Sequence, residues 1–257
     1  MPTLVISDPH INATMSVCPP VVNLPDGGTY HASPWQRKLW EGWLEMAEIV
    51  KARVGDRPLF LALNGDLGEF DTKQRSTQVI SRDEAFILEL AVDTLMPFVS
   101  ISTKTYVIRG TQAHVGSFEE KIGDDIGAEM DGKQHSFWHL RRVFDNRRFD
   151  ITHHISGNTE TSVINLGKKI MMSALRRGET LPNYVIRSHV HRAWDTGKTF
   201  GDMRVMTTPC FTGLNAYTYR IGAENEHPQI GMLYFDGGPA EPEYITMPIE
   251  ARKWVAG

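Results

Sequence analysis

The residues of this chain best suited to chemistry are two histidines set two apart, in Arg187-Ser188-His189-Val190-His191-Arg192. They follow Tyr184-Val185-Ile186, a short apolar run that reads as a strand. Two imidazoles projecting from one small turn suit a metal ion, because each neutral ring offers one nitrogen lone pair. Asp8-Pro9-His10 pairs a hard oxygen with an imidazole after the β-branched run Thr3 to Ser7. Asn64-Gly65-Asp66-Leu67-Gly68-Glu69 follows the run Leu59 to Leu63, and Gly65 permits the tight turn that places the Asp66 carboxylate. Arg109-Gly110-Thr111-Gln112-Ala113-His114 follows Thr105 to Ile108, and His153-His154 closes a run from Arg148 to Thr152. Six of the ten histidines thus lie at predicted strand ends, a placement that packing does not explain and a rim of ligands does.

Several elements must position these turns. Ser33-Pro34 starts a helix through Val54, with Ser33 as N-cap and Trp35, Leu39, Trp43, Met46 and Val50 on its buried stripe. Trp40 lies off that stripe, where it could edge a pocket. A second helix runs from Asp83 to Phe98 with Phe86, Leu90 and Leu95 inward, stopped near Pro97. Residues 11–34, with Pro19-Pro20 and Asp26-Gly27-Gly28, read as a long loop, and 70–80 as a polar one. Residues 117–130 read as helix, with Asp124 and Asp125 solvated. Phe137 to Phe144 and Arg148 to Thr152 form a hairpin about Asp145-Asn146-Arg147. The helix expected over 160–177 carries Lys168, Lys169, Arg176 and Arg177 on a solvated face. Strands over 203–208, 230–235 and 244–247 follow, with Tyr217-Thr218-Tyr219 between them.

Composition sets the bounds. The 257 residues, 41% hydrophobic and 23% charged, are those of an ordinary globular protein, with no run of membrane-spanning length. A net charge of −4 argues against a surface that coats nucleic acid and leaves room for a local basic groove. Only Cys18 and Cys210 occur, so a disulfide framework is not expected and a reducing cytoplasm is. In an α/β sandwich the strand C-termini share one edge. Asp8, His10, Asp66, His153, His189 and His191 would there supply mixed carboxylate and imidazole ligands, which suit Mn, Fe, Zn or Ni more than Ca or Mg. Two ions would need a shared ligand, and a carboxylate can bridge them.

Taken in order, these stretches resemble the signature of the calcineurin-like metallophosphoesterase superfamily: Asp-x-His, Gly-Asp, Gly-Asn-His, a lone His after a strand, and Gly-His-x-His. The matching pieces are Asp8-x-His10, Gly65-Asp66, Gly110-Thr111-Gln112-Ala113-His114, His153-His154 and Ser188-His189-Val190-His191. The resemblance covers residues 3 to about 215, and the arrangement also resembles virus- or prophage-encoded members. It implies an α/β (α+β by some schemes) fold, a two-sheet β-sandwich flanked by helices. A single metallophosphoesterase domain over 1–257 is expected, with insertions near 11–34 and 115–147 as active-site walls. It further implies that Asp8, His10 and His191 hold one divalent ion, that Asp66 bridges, and that His153 and His189 hold the second, with His154 as the alternative to His153. Mn is the first expectation for both ions, with Fe, Zn, Ni or Mg as alternatives.

Two departures stand out. The family Asn ligand is absent: Thr111 occupies its place by alignment, and Gln112 carries a similar amide oxygen. His114 resembles the family's catalytic histidine, displaced by extra residues, and Ser188 replaces the first glycine of Gly-His-x-His. The implied chemistry is phosphate-ester hydrolysis, in which two ions about 3.5–4 Å apart acidify a shared water and clamp the phosphoryl oxygens. Asp66 as bridge and His114 as proton donor or charge stabiliser carry the catalysis, with Arg109, Arg187 or Arg192 as phosphate contacts. No Gly-x-Ser-x-Gly elbow or P-loop suggests another route.

The expected substrate is a nucleotide or single-stranded nucleic acid, cleaved as by a phosphodiesterase or nuclease, with Tyr30, Trp35, Phe137 and Trp138 as rings that could stack a base. A phosphomonoesterase and a non-catalytic scaffold of the same fold are the alternatives. A nucleic-acid module with structural zinc is a further rival, opposed by two cysteines that lie outside every motif. The location expected is the cytoplasm, that of the host if the chain is phage-encoded.

Overall fold

The computed structural model describes residues 1–70, 77–220, 228–238 and 240–249. One mixed sheet is built from β1 (Thr3–Ile6), β4 (Phe60–Asn64), β5 (Lys104–Ile108), β10 (Ile230–Phe235) and β11 (Glu243–Met247), in the order β11-β10-β1-β4-β5. The second is built from β6 (Leu140–Phe144), β7 (Arg147–Ile151), β8 (Tyr184–Arg187) and β9 (Arg204–Thr207), in chain order. β1, β4 and β5 run parallel, as do β7, β8 and β9, so each trio delivers its C-terminal turns to one edge.

The inner strands β1, β4, β8 and β10 lack polar alternation because both faces are covered. Leu4, Ile6, Leu61, Leu63 and Val107 face a cluster shared with α1 (Pro34–Val54) and α2 (Glu84–Val99). The intervening Val5, Ala62, Tyr106 and Ile108 meet Phe149, Ile151, Tyr184, Ile186 and Met206 of the other sheet. Val185 and Val205, on the far side of that sheet, pack with Val163 of α5 (Glu160–Arg177). The result is the two-sheet sandwich flanked by helices that the motif order implied. Trp43 ties α1 to α2: its indole N–H donates to the Thr94 carbonyl at 2.9 Å, and its ring meets Phe98 edge-on.

The expected helices form, with their caps. Ser33 and Gln36 make a capping box on α1, and the Asp83 side chain accepts from the Phe86 N–H on α2. Several expectations need correction. Residues 11–34 are not all loop: β2 (Val21–Asn23) and β3 (Thr29–His31) pair as a small hairpin closed by Gly27 at φ 85°. α2 ends at Val99, just past Pro97 as expected, and the Ser100 N–H still closes a last turn on the Met96 carbonyl. The helix expected over 117–130 is shorter, α4 (Phe118–Asp125), and a separate single turn, α3 (Gln112–Val115), precedes it across Gly116. The later hairpin turns on Asp145 and Asn146 alone, both at positive φ as a two-residue primed turn demands, so Arg147 belongs to β7. Trp40 packs, partly buried, on the α1–α2 cluster. A short α6 (Ala216–Arg220) takes in the whole Tyr217-Thr218-Tyr219 stretch, and 71–76 of the expected 70–80 loop lie outside the described residues. Lys168, Lys169, Arg176 and Arg177 are solvent-exposed, as expected. Among the described residues no helix is long and apolar enough to cross a membrane.

Candidate metal centre

The turns after β1, β4, β5, β7 and β8 converge where the two sheets meet. Backbone bonds stitch them: Asp8 N–H to the Gly65 carbonyl at 3.0 Å, His10 N–H to the Asp66 carbonyl at 3.0 Å, and Ser188 N–H to the His153 carbonyl at 2.8 Å. Five residues hold left-handed backbone conformations that side chains normally avoid: Asp8 (φ 51°), His10 (43°), Asp66 (51°), His189 (74°) and His191 (56°). Each costs roughly 1–2 kcal/mol outside glycine, and strain of this kind collects at functional sites. Gly110 and Gly65 allow the close approach, since a Cβ on the first would overlap Asp66 and on the second the His153 ring.

The side chains form two overlapping groups, Asp8, His10 and His191 in one and Asp8, Asp66, His153 and His189 in the other. His191 Nε2 lies 3.2 Å from Asp8 Oδ1, and His10 Nε2 lies 3.9 Å from both Asp8 Oδ1 and Asp66 Oδ2. On the other side His153 Nε2 is 3.2 Å and His189 Nδ1 3.9 Å from Asp66 Oδ2. Asp66 Oδ2 therefore faces both halves, while its Oδ1 accepts the Thr111 N–H at 2.5 Å. Asp8 Oδ1, His10 Nε2, Asp66 Oδ2 and His153 Nε2 are buried and have no hydrogen-bond partner. Buried carboxylate oxygens and imidazole nitrogens left facing one another are costly, and divalent cations shared among them remove the cost. The donor set, two carboxylates and four imidazoles, fits borderline divalent ions. His153 Nδ1 donates to the Asn64 carbonyl at 2.7 Å, which leaves Nε2 as its free lone pair.

The electrostatics agree. Burial alone would push the Asp8 carboxyl up, but His153 and His191 hold it at about 2. Burial is likewise outweighed at Asp66, which His153, His189 and His10 hold well below the usual range. Burial works against charge on His153 too, yet Asp66 and Asp8 carry its ring up to about 9. The lone pairs that draw protons here are the ones a cation would use.

His154, the alternative to His153, is exposed; burial and the neighbouring His153 and His189 push its pKa down. It does stand close enough to join His153 and His189 in a third ligand-type group. Thr111 Oγ1 lies 3.3 Å from His189 Nδ1, whereas Gln112 is exposed at the start of α3. His114 stands against His10, ring centroids 4.9 Å apart, and its Nδ1 meets Glu69 Oε2 at 2.7 Å. Burial disfavours charge on His114, but the Glu69 bond outweighs it and raises the pKa. Glu69 also faces His10 Nδ1 at 3.4 Å.

Two of the proposed phosphate contacts are engaged elsewhere. The Arg109 guanidinium pairs with Glu120 at 3.2 Å, bonds Ser136 at 2.7 Å and lies over the Trp138 ring. Arg187 is buried and bonds Asp150 at 2.8 Å. Arg192 lines a cleft of about 400 Å³ beside His189 and His191. That cleft is walled by 155–158, 189–192 and 213–218 with Pro228; the expected walls, 11–34 and 115–147, supply none of its lining. The four rings proposed for stacking are placed elsewhere as well. Phe137 is core, Trp138 carries Arg109, Trp35 donates to the Met15 carbonyl, and Tyr30 donates to Gln36.

Sequence reasoning passed over Glu69 and Glu119. The signal for Glu69 was present, a carboxylate three residues after Asp66 in one turn. Glu119 is fully buried on α4, where its Oε2 accepts the Gly110 N–H at 2.5 Å and its Oε1 the Leu67 N–H at 3.3 Å. Burial and Asp66 push its carboxyl up to about 8.

No protein-family model matches the sequence, and no curated protein matches it. Solved structures do. The chain is similar to Vps29 complexed with zinc from Entamoeba histolytica, at 12% identity over 96% of this chain and 99% of that one, with a TM-score of 0.44. It is similar to a predicted phosphoesterase from Streptococcus pneumoniae, at 11% identity over 96% and 97%, TM-score 0.34. The sulfate thiohydrolase SoxB of Thermus thermophilus is similar at 11% identity over 96% of this chain and 56% of that one, TM-score 0.43. The fold itself is a two-sheet sandwich with the ligand-type turns gathered at one shared edge.

Proposed function

We propose that the protein is a metal-dependent phosphoesterase with a binuclear centre, acting as a phosphodiesterase on nucleotide substrates. The observation that carries this reading is the convergence of Asp8 Oδ1, His10 Nε2, Asp66 Oδ2 and His153 Nε2, all buried and unpartnered, from the three turns after β1, β4 and β7. Asp8, His10 and His191 would hold one ion and His153 and His189 the other, with Asp66 facing both groups and Thr111 standing in for the family Asn. Bound there, two divalent ions, Mn first among them, would supply Lewis acidity toward the phosphoryl oxygens and a more acidic water.

The chain's own residues do the rest. Glu69 fixes the His114 ring through Nδ1 and favours its protonated form, so His114 can give a proton to the leaving oxygen or stabilise its charge. Glu69 also orients His10 from behind, as carboxylates commonly orient ligand histidines. Arg192, in the wall next to His191, is the cation placed to meet a phosphate. One domain supplies the whole ligand set.

The test is hydrolysis of bis-p-nitrophenyl phosphate, monoesters, cyclic nucleotides and single-stranded DNA with Mn, Zn, Ni or Mg added and chelator as control. Turnover that needs metal and disappears in Asp66→Asn is expected. A folded protein that turns over no ester with any of these ions is a scaffold instead.

A further inference from the structure

We infer that the cleft beside His189 and His191 is a subsite for a single nucleoside, so that the substrate is a small nucleotidyl phosphodiester and not a nucleic-acid strand. This rests on the phosphoesterase reading and narrows it.

Three features of the cleft point this way. It opens directly off the centre, where the His189 and His191 side chains are 41% and 30% exposed while Asp8 and Asp66 are sealed beneath. An ester whose phosphate lies at these imidazoles therefore has its organic group in the cleft. Its volume of about 400 Å³ falls at the low end of small-molecule sites, roughly 300–1,000 Å³, enough for one nucleoside with its phosphate.

The lining fits such a group. Ile155, Val190, Leu214 and Pro228 give apolar surface for a flat base, and the Asn158 amide can pair with a polar base edge. Arg192 is the one cation among the described lining residues, and none of them is acidic. Asn215 and Thr218 bond each other, Oδ1 accepting from the Thr218 hydroxyl at 2.9 Å, so they shape the wall more than they read the ligand.

The same lining argues against a strand. Grooves that track single strands use several cations and stack successive bases on aromatic rings. Here one arginine and no Phe, Tyr or Trp line the described cleft. The wall is also fixed: Gln229 N–H bonds the His191 carbonyl at 3.0 Å, and the Thr207 hydroxyl bonds the Arg192 carbonyl at 2.7 Å.

The test compares adenylyl-adenosine, methyl p-nitrophenyl phosphate and a single-stranded 20-mer as substrates of the Mn-loaded protein. It is repeated with Asn158→Trp and Leu214→Trp, each of which fills the cleft from a different side. The wild type should favour adenylyl-adenosine over the 20-mer in kcat/KM, and its ratio of kcat/KM for adenylyl-adenosine to that for the methyl ester is the preference against which the variants are read. Each variant should cut the preference for adenylyl-adenosine over the methyl ester by about 10-fold or more. Preference unchanged in both variants, or a 20-mer cleaved as well as the dinucleotide, overturns the proposal. Titration of adenosine 5′-monophosphate into chelator-treated protein separates the two readings. Binding that Asn158→Trp weakens supports the subsite even if no ester is cleaved; ester cleavage without such binding removes the subsite and leaves the phosphoesterase.

Discussion

Glu119 offers a test of how the metal turns are held together. Its two carboxylate oxygens accept the amides of Leu67 and Gly110, which are the chain neighbours of Asp66 and Thr111. The Thr111 N–H in turn donates to Asp66. Glu119→Ala deprives two buried amides of their acceptor, at about 1–3 kcal/mol each, so about 2–6 kcal/mol in all. Glu119→Gln keeps one acceptor and aims an NH2 at the other amide, for a loss of about 1–3 kcal/mol. The pH dependence separates the two effects. The folded carboxyl sits at about 8, above its ordinary 4.5, so folding takes up a proton. Its contribution to stability is complete below the ordinary value and is lost as pH rises through about 8. Glu119→Gln removes that slope. The assays are urea denaturation of chelator-treated protein across this range and calorimetric titration of Mn, whose affinity should fall about 10–100-fold. A Glu119→Ala protein within about 0.5 kcal/mol of wild type, binding Mn as before, refutes the reasoning.

Other perturbations probe the remaining parts. His114→Ala should lower kcat by about 10²–10⁴-fold while leaving metal content intact; loss of metal measured by atomic absorption would make His114 a ligand instead. Glu69→Gln should shift the acid-donor limb of the pH–rate profile downward, since the bond that raises the His114 pKa is weakened, and an unmoved profile excludes that coupling. Thr111→Ala should weaken the second metal equivalent in a Mn titration and Gln112→Ala should not, the reverse result assigning the role to Gln112. Asp150→Asn should destabilise the fold by about 3–5 kcal/mol at neutral pH by stranding the buried Arg187 charge. Burial raises the Asp150 carboxyl, but His139 and Arg187 more than offset it and hold it below the ordinary 3.8. The stabilisation is therefore present above that value and lost as pH falls through the depressed one, which acid titration of wild type against variant reads directly.

The sequence alone determined where the chemistry would gather. Asp8-x-His10, Gly65-Asp66 and His189-x-His191 each follow an apolar run, and strands buried on both faces must read that way. Parallel pairing then leaves their polar ends at a common edge. Helix starts at Ser33 and Asp83 were equally legible, because caps act within a few residues.

What tertiary structure decided was every relation between residues far apart in the chain. The α4 placement of Glu119 against the amides of Leu67 and Gly110 is a meeting of three segments that no local pattern encodes. So is the burial of Arg187 on Asp150, which turns a candidate phosphate contact into a structural pair. The approach of Thr111 Oγ1 to His189 Nδ1, at 3.3 Å, follows from how the turn after β5 is set against the turn after β8. The cleft wall from 155–158 and 213–218 arises because both segments reach the edge of the second sheet. Periodicity and capping act over one or two turns of chain, whereas these contacts depend on how two sheets pack face to face.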